Sequence, residues 1–133
     1  MGIYVNPGNS GFAEIADADY VDKTMLIELI NRTVRKRNKL TCVSRPRRFG
    51  KSYAAKMLCA YYDRSCDSHE LFDDKNIARS ESYLTYLNHY NVIYLDITSF
   101  VSAAGRQEIS FREVPNRIVD ALRDELASMY PEL

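Results

Sequence analysis

One stretch of the chain carries residue types in an order that suits a definite chemistry: Ser44-Arg-Pro-Arg-Arg-Phe-Gly-Lys-Ser52. Gly followed by Lys and Ser at the start of a helix is a way of holding phosphate. Gly50 lets the backbone approach an anion and adopt conformations that a side chain blocks. The N–H groups that open the next helix have no intrahelical partners, and the helix dipole favours negative charge beside them. Lys51 would reach the β- and γ-phosphates of a nucleoside triphosphate, and the Ser52 hydroxyl would ligate Mg²⁺. The implied ligands are therefore ATP and Mg²⁺. The implied binding residues are Arg45, Pro46, Arg47, Arg48, Phe49, Gly50, Lys51 and Ser52. The generic pattern is Gly-x-x-x-x-Gly-Lys-Ser/Thr, and Arg45 stands where its first Gly would be. The plain alternative is a basic turn leading into a helix capped by Ser52.

The elements that would position this loop are legible on either side. Leu40-Thr-Cys-Val-Ser44 is short, apolar and β-branched, and predicts a buried strand with Cys42 in its core. Residues 52–62 predict a helix with Ala54, Ala55, Leu58, Tyr61 and Tyr62 on its apolar face. Asp22 is placed to cap a helix through Met25, Leu26, Leu29, Ile30 and Val34. Residues 77–87 predict another helix, and Val92-Ile-Tyr-Leu-Asp-Ile97 a second buried strand. Residues 110–130 have the best amphipathic period, with Phe111, Val114, Ile118, Leu122, Leu126 and Met129 in register. Ser110 and Glu113 fit a capping box, and a start at Pro115 is the alternative. Strands alternating with helices predict an α/β fold, with parallel strands flanked by helices.

Charge is distributed unevenly. The formal net charge is +0, yet between Arg32 and Lys56 there are ten basic residues and no acidic one. Such a block on a balanced chain is a place for an anion. It supports a second reading, a nucleic-acid-binding module that uses the basic segment 32–51 on phosphate backbones.

Hydrolysis of a bound triphosphate would need an acid on a second strand to hold Mg²⁺ and orient water. Asp96 ends the strand predicted at 92–97 and is the weak candidate for that catalytic role. No Glu follows it: the next residues are Ile97, Thr98 and Ser99. The chain is accordingly expected to bind ATP without turning it over at a useful rate. Two parallel strands alone would leave both edges open, so marginal stability or self-association is expected as well.

Three segments together resemble the bacterial AAA-ATPase-like family: Tyr20-Val-Asp-Lys-Thr24, Ser44-Arg-Pro-Arg-Arg-Phe-Gly-Lys-Ser52 and Val92-Ile-Tyr-Leu-Asp96. Smaller agreements are Asn6-Pro-Gly-Asn9, Phe12, Met57-Leu58, Leu71-Phe72 and Leu87-Asn-x-Tyr90. The likeness covers roughly residues 6–100. In that family Arg at the first-glycine position is usual. The resemblance implies a P-loop NTPase-like domain that binds ATP, with Tyr20 to Thr24 near the nucleotide. It also implies a later strand ending in Asp-Glu and a C-terminal PD-(D/E)XK nuclease-like region. Neither occurs in this sequence, so residues 1–133 are expected to be the N-terminal part of such a domain, incomplete at its C-terminus.

Composition sets the remaining bounds. The 133 residues allow one domain, and 46% hydrophobic with 27% charged residues exclude disorder as the main state. No apolar run reaches the ~18 residues of a membrane span, and residues 1–12 lack the features of a secretory signal. Three cysteines, at 42, 59 and 66, form no Cys-x-x-Cys pair and argue against disulfide or zinc frameworks. A reducing, cytoplasmic compartment follows as the expectation. His69 and His89 lie in polar surroundings and are expected to be solvated.

Overall fold

Tyr61 and Phe72, both fully buried, organise the larger of two compact units. The computed structural model describes residues 2–46, 48 and 50–132. The backbone divides into Gly8–Val92 and, separately, Met1–Pro7 with Ile93–Leu133.

In the first unit the helices are α1 (Ser10–Ala16), α2 (Met25–Asn31), α3 (Lys51–Tyr62), α4 (His69–Phe72) and α5 (Tyr83–Tyr86). A 3₁₀ turn, Asn76–Arg79, precedes α5. The core gathers Phe12 from α1, Ile27 from α2, Met57 and Tyr61 from α3, and Phe72 from α4. Its rings meet in the offset and edge-on arrangements that aromatic quadrupoles favour. Phe12 stacks on Phe72 at 5.1 Å between centroids, and Tyr61 meets Phe72 edge-on at 5.6 Å. The polar tips are satisfied. Tyr61 donates its hydroxyl to the Tyr83 carbonyl at 2.7 Å, and Tyr62 donates to Asn31 Oδ1 at 2.5 Å.

Asp22 does more than begin α2. Its Oδ1 accepts from the Thr24 N–H and hydroxyl at 2.9 and 2.7 Å, and its Oδ2 accepts from the Asn76 N–H at 2.8 Å. Thr24 Oγ1 in turn accepts from the Ile77 N–H at 3.1 Å. One carboxylate thus joins α2 to the turn before α5. The buried face of α2 is Ile27 and Asn31, following buried Thr24, whereas Met25 and Leu29 of the predicted face are exposed.

In the second unit α6 (Ile97–Arg106) and α7 (Val114–Met129) pack around Ala104 and Val114, both buried. A short 3₁₀ turn, Phe111–Glu113, leads into α7, and Pro115 occupies its first turn. The start of α7 is thus close to the alternative at Pro115. Ser110 still caps the entry, accepting from the Arg112 N–H at 3.4 Å. The predicted apolar face is only partly covered, with Phe111 and Leu126 exposed.

The α/β expectation is not met. Among the described residues the structure is helical, 52% helix and 3% strand, with no sheet. Among the described residues, the isolated bridges are an antiparallel one between Val5 and Ile93 and a parallel one between Asp63 and Tyr90. Residues 40–44 are irregular and exposed, with Leu40 at 91%. Residues 94–96 are irregular too, and Ile93 is exposed. A β-branched run becomes a strand only when a neighbouring ladder satisfies its backbone and a second layer covers its side chains. The second run, apart from Val92, falls in a different unit from the first, and among the described residues none of the bridges touches residues 40–44.

Cys42, expected in a buried strand, is therefore exposed, whereas Cys59 is buried and Cys66 intermediate. Burial, reinforced by the Asp63 carboxylate, pushes the Cys59 thiol up to about 11. Only the thiolate reacts. Under native conditions at pH 8, a thiol reagent is expected to label Cys42 first and Cys59 last. Mass spectrometry of timed digests reads the order, and early labelling of Cys59 would contradict it.

A second carboxylate organises the other unit. Glu125 of α7 accepts the backbone N–H groups of Ile3, Tyr4 and Val5, the last two at 2.8 Å each. Partial burial acts to raise its pKa, but the three donors outweigh it and hold the carboxyl below its usual value of 4.5. Because the folded value lies below the unfolded one, this contribution is present above pH 4.5 and lost as pH falls through the depressed value. The amide proton shifts of Ile3, Tyr4 and Val5 should titrate together, with a midpoint under 4.5, and lose that titration in Glu125→Gln. Independent midpoints for the three amides would dismiss the shared clamp.

Candidate functional site

The Gly-Lys-Ser triplet lies at the start of α3. Gly50 is the residue before the helix, with φ 78° and ψ 22°, a left-handed conformation open to glycine and strained for residues with a Cβ. Arg48 is also left-handed, at φ 66°. Two such residues turn the chain sharply from the irregular segment 40–46 into the helix. The first intrahelical bond runs from the Ala54 N–H to the Gly50 carbonyl at 2.9 Å. The N–H groups ahead of it form the helix's positive end.

Lys51 and Ser52 are the first two residues of α3, and both are exposed. Lys51 Nζ reaches back across the loop and donates to the Arg45 carbonyl at 2.8 Å. An ammonium has three donors, so this bond orients the side chain and leaves capacity for an anion. Arg45 and Pro46 are irregular and exposed. Arg47 and Phe49, which the sequence placed in the same binding set, lie outside the described residues.

The structure adds Lys23 and Tyr53, which spacing alone did not single out. Lys23 Nζ lies 3.7 Å from the point where a Cβ on Gly50 would sit. It belongs to the segment Tyr20 to Thr24, whose nearness to the nucleotide was expected only from resemblance. A cleft of about 760 Å³ runs from Arg48 and Gly50 between α1, the segment 18–23 and α3. Lys23, Tyr20, Val21 and Tyr53 line it. Tyr20 is held in the wall: its hydroxyl donates to Met57 Sδ at 3.4 Å and accepts the Lys23 N–H at 3.2 Å. Burial raises the pKa of that hydroxyl, so it remains a neutral donor at physiological pH. Another hollow, of about 640 Å³ beside Glu28, Arg32 and Tyr86, is lined by none of the described residues of 45–52.

Among the described residues, no group of three or more His, Cys, Asp or Glu side chains converges as a metal cage. Mg²⁺ is ordinarily held through substrate phosphates, waters and one or two protein oxygens, and the exposed Ser52 hydroxyl fits that role. Asp96 has a structural task. As the cap of α6, its Oδ1 accepts from the Thr98 N–H at 3.0 Å and its Oδ2 from the Ser99 hydroxyl at 3.1 Å. It belongs to the unit that excludes residues 8–92. Among the described residues, no helix is long and apolar enough to cross a membrane.

A glycine-opened helix start, flanked by Lys23, Arg48 and Lys51, defines a protein with a candidate anion-binding loop. A family model described as predicted AAA-ATPase matches residues 7–132, and the chain belongs to this AAA-ATPase-like family. The match extends past the roughly 6–100 over which the motifs were recognised. No curated protein and no solved structure matches the chain.

Proposed function

We propose that the chain binds a nucleoside triphosphate, ATP with Mg²⁺, through residues 45–52 acting as a P-loop. The observation that carries this reading is the left-handed Gly50 opening α3, with Lys51 Nζ folded over the loop onto Arg45. Helix N–H groups and an ammonium beside one loop suit the capture of phosphate. Family membership supports it, since the family is one of predicted AAA-ATPases. Lys51, Lys23 and Arg48 would hold the phosphates, and Ser52 would ligate the Mg²⁺ that neutralises their charge. The nucleic-acid reading has less support. Within the basic segment, Arg32 is paired with Glu28 at 2.8 Å and Arg35 lies 5.9 Å from the centre of the Tyr90 ring.

Titration with Mg-ATP and with duplex DNA, each at two salt concentrations, separates the two. Saturable ATP binding that requires Mg²⁺ and changes little with salt is the expected result. DNA binding that falls steeply with salt, without saturable ATP binding, would overturn it.

A further inference from the structure

Residues 39–46 are irregular and exposed, yet the run Leu40-Thr-Cys-Val-Ser44 within them has the make-up of a strand. Leu40 and Val43 are large apolar side chains open to solvent, and Cys42 is exposed beside them. Among the described residues, the backbone groups of 37–44 enter no backbone–backbone hydrogen bond. The run is nevertheless held at both ends. Before it, the Lys36 N–H donates to the Thr33 carbonyl at 3.0 Å, and the Arg35 guanidinium lies over the Tyr90 ring. After it, the Arg45 carbonyl accepts from Lys51 Nζ at 2.8 Å. Arg35 and Arg48 are left-handed, but none of residues 36–46 between them has a positive φ, so none is barred from a ladder on that account. Pro46 lacks an N–H and would end a ladder on that side. An apolar, β-branched run with an open backbone, tethered at each end, is what an incoming strand pairs with.

Charge decides which strand that is. Lys39 precedes the run and Arg45 follows it, with no acidic residue anywhere between Arg32 and Lys56. Two copies of the run paired antiparallel about Cys42 would set Lys39 of each against Arg45 of the other. A parallel pair in register would set Lys39 against Lys39. Like charges directly opposite destabilise a ladder, so a second copy is a poor occupant. A strand with a β-branched apolar centre and carboxylates at both ends fits in either direction. We propose that residues 40–44, with Lys39 and Arg45 at their ends, are a docking edge for an acidic, extended peptide of a partner protein, which adds to the run as a β-strand. Main-chain hydrogen bonds supply the affinity, and the two cations pair with the carboxylates of the peptide. Leu40 and Cys42 alternate with Thr41 and Val43 on opposite faces, so each face packs against a β-branched neighbour. Only Arg45 is shared with the phosphate loop, and the docking edge stands whether or not a nucleotide binds.

The probe is a fluorescent synthetic peptide of alternating Val and Thr with an Asp-Glu pair at each end, titrated into the full chain and followed by anisotropy. It should bind saturably, whereas the same peptide with Lys-Lys ends, or with its backbone nitrogens methylated, should not. Thr41→Pro and Cys42→Pro remove N–H groups on opposite edges of the run, so one of them falls on the ladder whichever side the peptide takes. That variant should weaken the peptide about tenfold and the other less. Lys39→Glu should weaken it about fivefold. All three positions are exposed, so the variants are expected to fold, and circular dichroism checks this. Absence of binding, equal binding of the methylated peptide, or parent-like affinity in both proline variants would overturn the docking edge. Displacement of the peptide by single-stranded DNA of equal charge as readily as by unlabelled peptide would reduce the run to a basic patch and overturn it too. Sedimentation should give one oligomeric state for the parent and both proline variants. A dimer lost in either variant would mean that a second copy covers the run, contrary to the proposal.

Discussion

Replacing Lys51 with alanine is expected to remove most of the affinity for ATP, by roughly 10- to 100-fold. Lys51 Nζ is held over the loop by the Arg45 carbonyl at 2.8 Å, so its charge is already positioned at the helix start. A hydrogen bond to a charged group contributes about 1.5–3 kcal/mol, which is a factor of about ten to over a hundred in affinity. The remaining cations, Lys23 and Arg48, and the helix N–H groups account for what affinity is left. The substitution should not cost the fold, because Lys51 is exposed and its ammonium bonds to the Arg45 carbonyl of an exposed, irregular segment. Lys51→Arg should fall between the two, since a planar fork does not reproduce a compact ammonium. Calorimetric titration with Mg-ATP measures all three proteins. Parent-like affinity in Lys51→Ala would remove the loop from consideration as the phosphate site.

Asp63→Ala is expected to be the most damaging single change away from the site, costing about 3 kcal/mol. Asp63 is fully buried at the end of α3. Its Oδ2 accepts the Gly8 N–H at 2.6 Å and its Oδ1 the Ser65 N–H at 2.8 Å. Removing the carboxylate leaves the Gly8 N–H unmet in a buried place, and the penalty for an unmet buried donor exceeds the net worth of the bond. Neighbouring bonds depend on the same geometry. The Asp63 carbonyl accepts from Asn88 Nδ2 at 2.7 Å, and Asp63 bridges Tyr90, whose carbonyl accepts the Arg64 N–H at 2.8 Å. Urea unfolding should show a lower midpoint with an unchanged slope. Asp74→Ala, at an exposed carboxylate, should stay within about 0.5 kcal/mol of the parent. Equal stability of Asp63→Ala and Asp74→Ala would rule out the buried anchor.

These two sites differ in how far they could be read beforehand. Lys51 was legible because its neighbourhood is local. A glycine, a lysine and a serine in that order decide where a helix begins, and the structure begins α3 at Lys51. Asp63 offered no such signal. Its partners are Gly8, 55 positions away, and Asn88, 25 positions away, and nothing in the run Tyr62-Asp-Arg-Ser65 marks the carboxylate as buried. Lys23 is an intermediate case: its motif was noticed, but its ammonium beside Gly50 depends on how the segment 18–23 crosses α3.

What the sequence by itself determined is the helical content around α2, α3 and α7 and the Gly-Lys-Ser helix start. Those features depend on caps, 3.6-residue periodicity and residues within a turn or two of one another. Tertiary structure alone decided the fate of the two β-branched runs. Residues 40–44 and 92–97 have the composition of buried strands, yet the first is exposed and irregular, and the second has a single bridged residue, Ile93, paired with Val5. Strand propensity records how well a side chain fits a pleated, half-covered surface, and the surface itself must be supplied by distant segments. The same dependence on distant segments governs the cleft. α1, residues 18–23 and α3 each contribute part of its wall, so its apolar and cationic sides came together only when those elements packed.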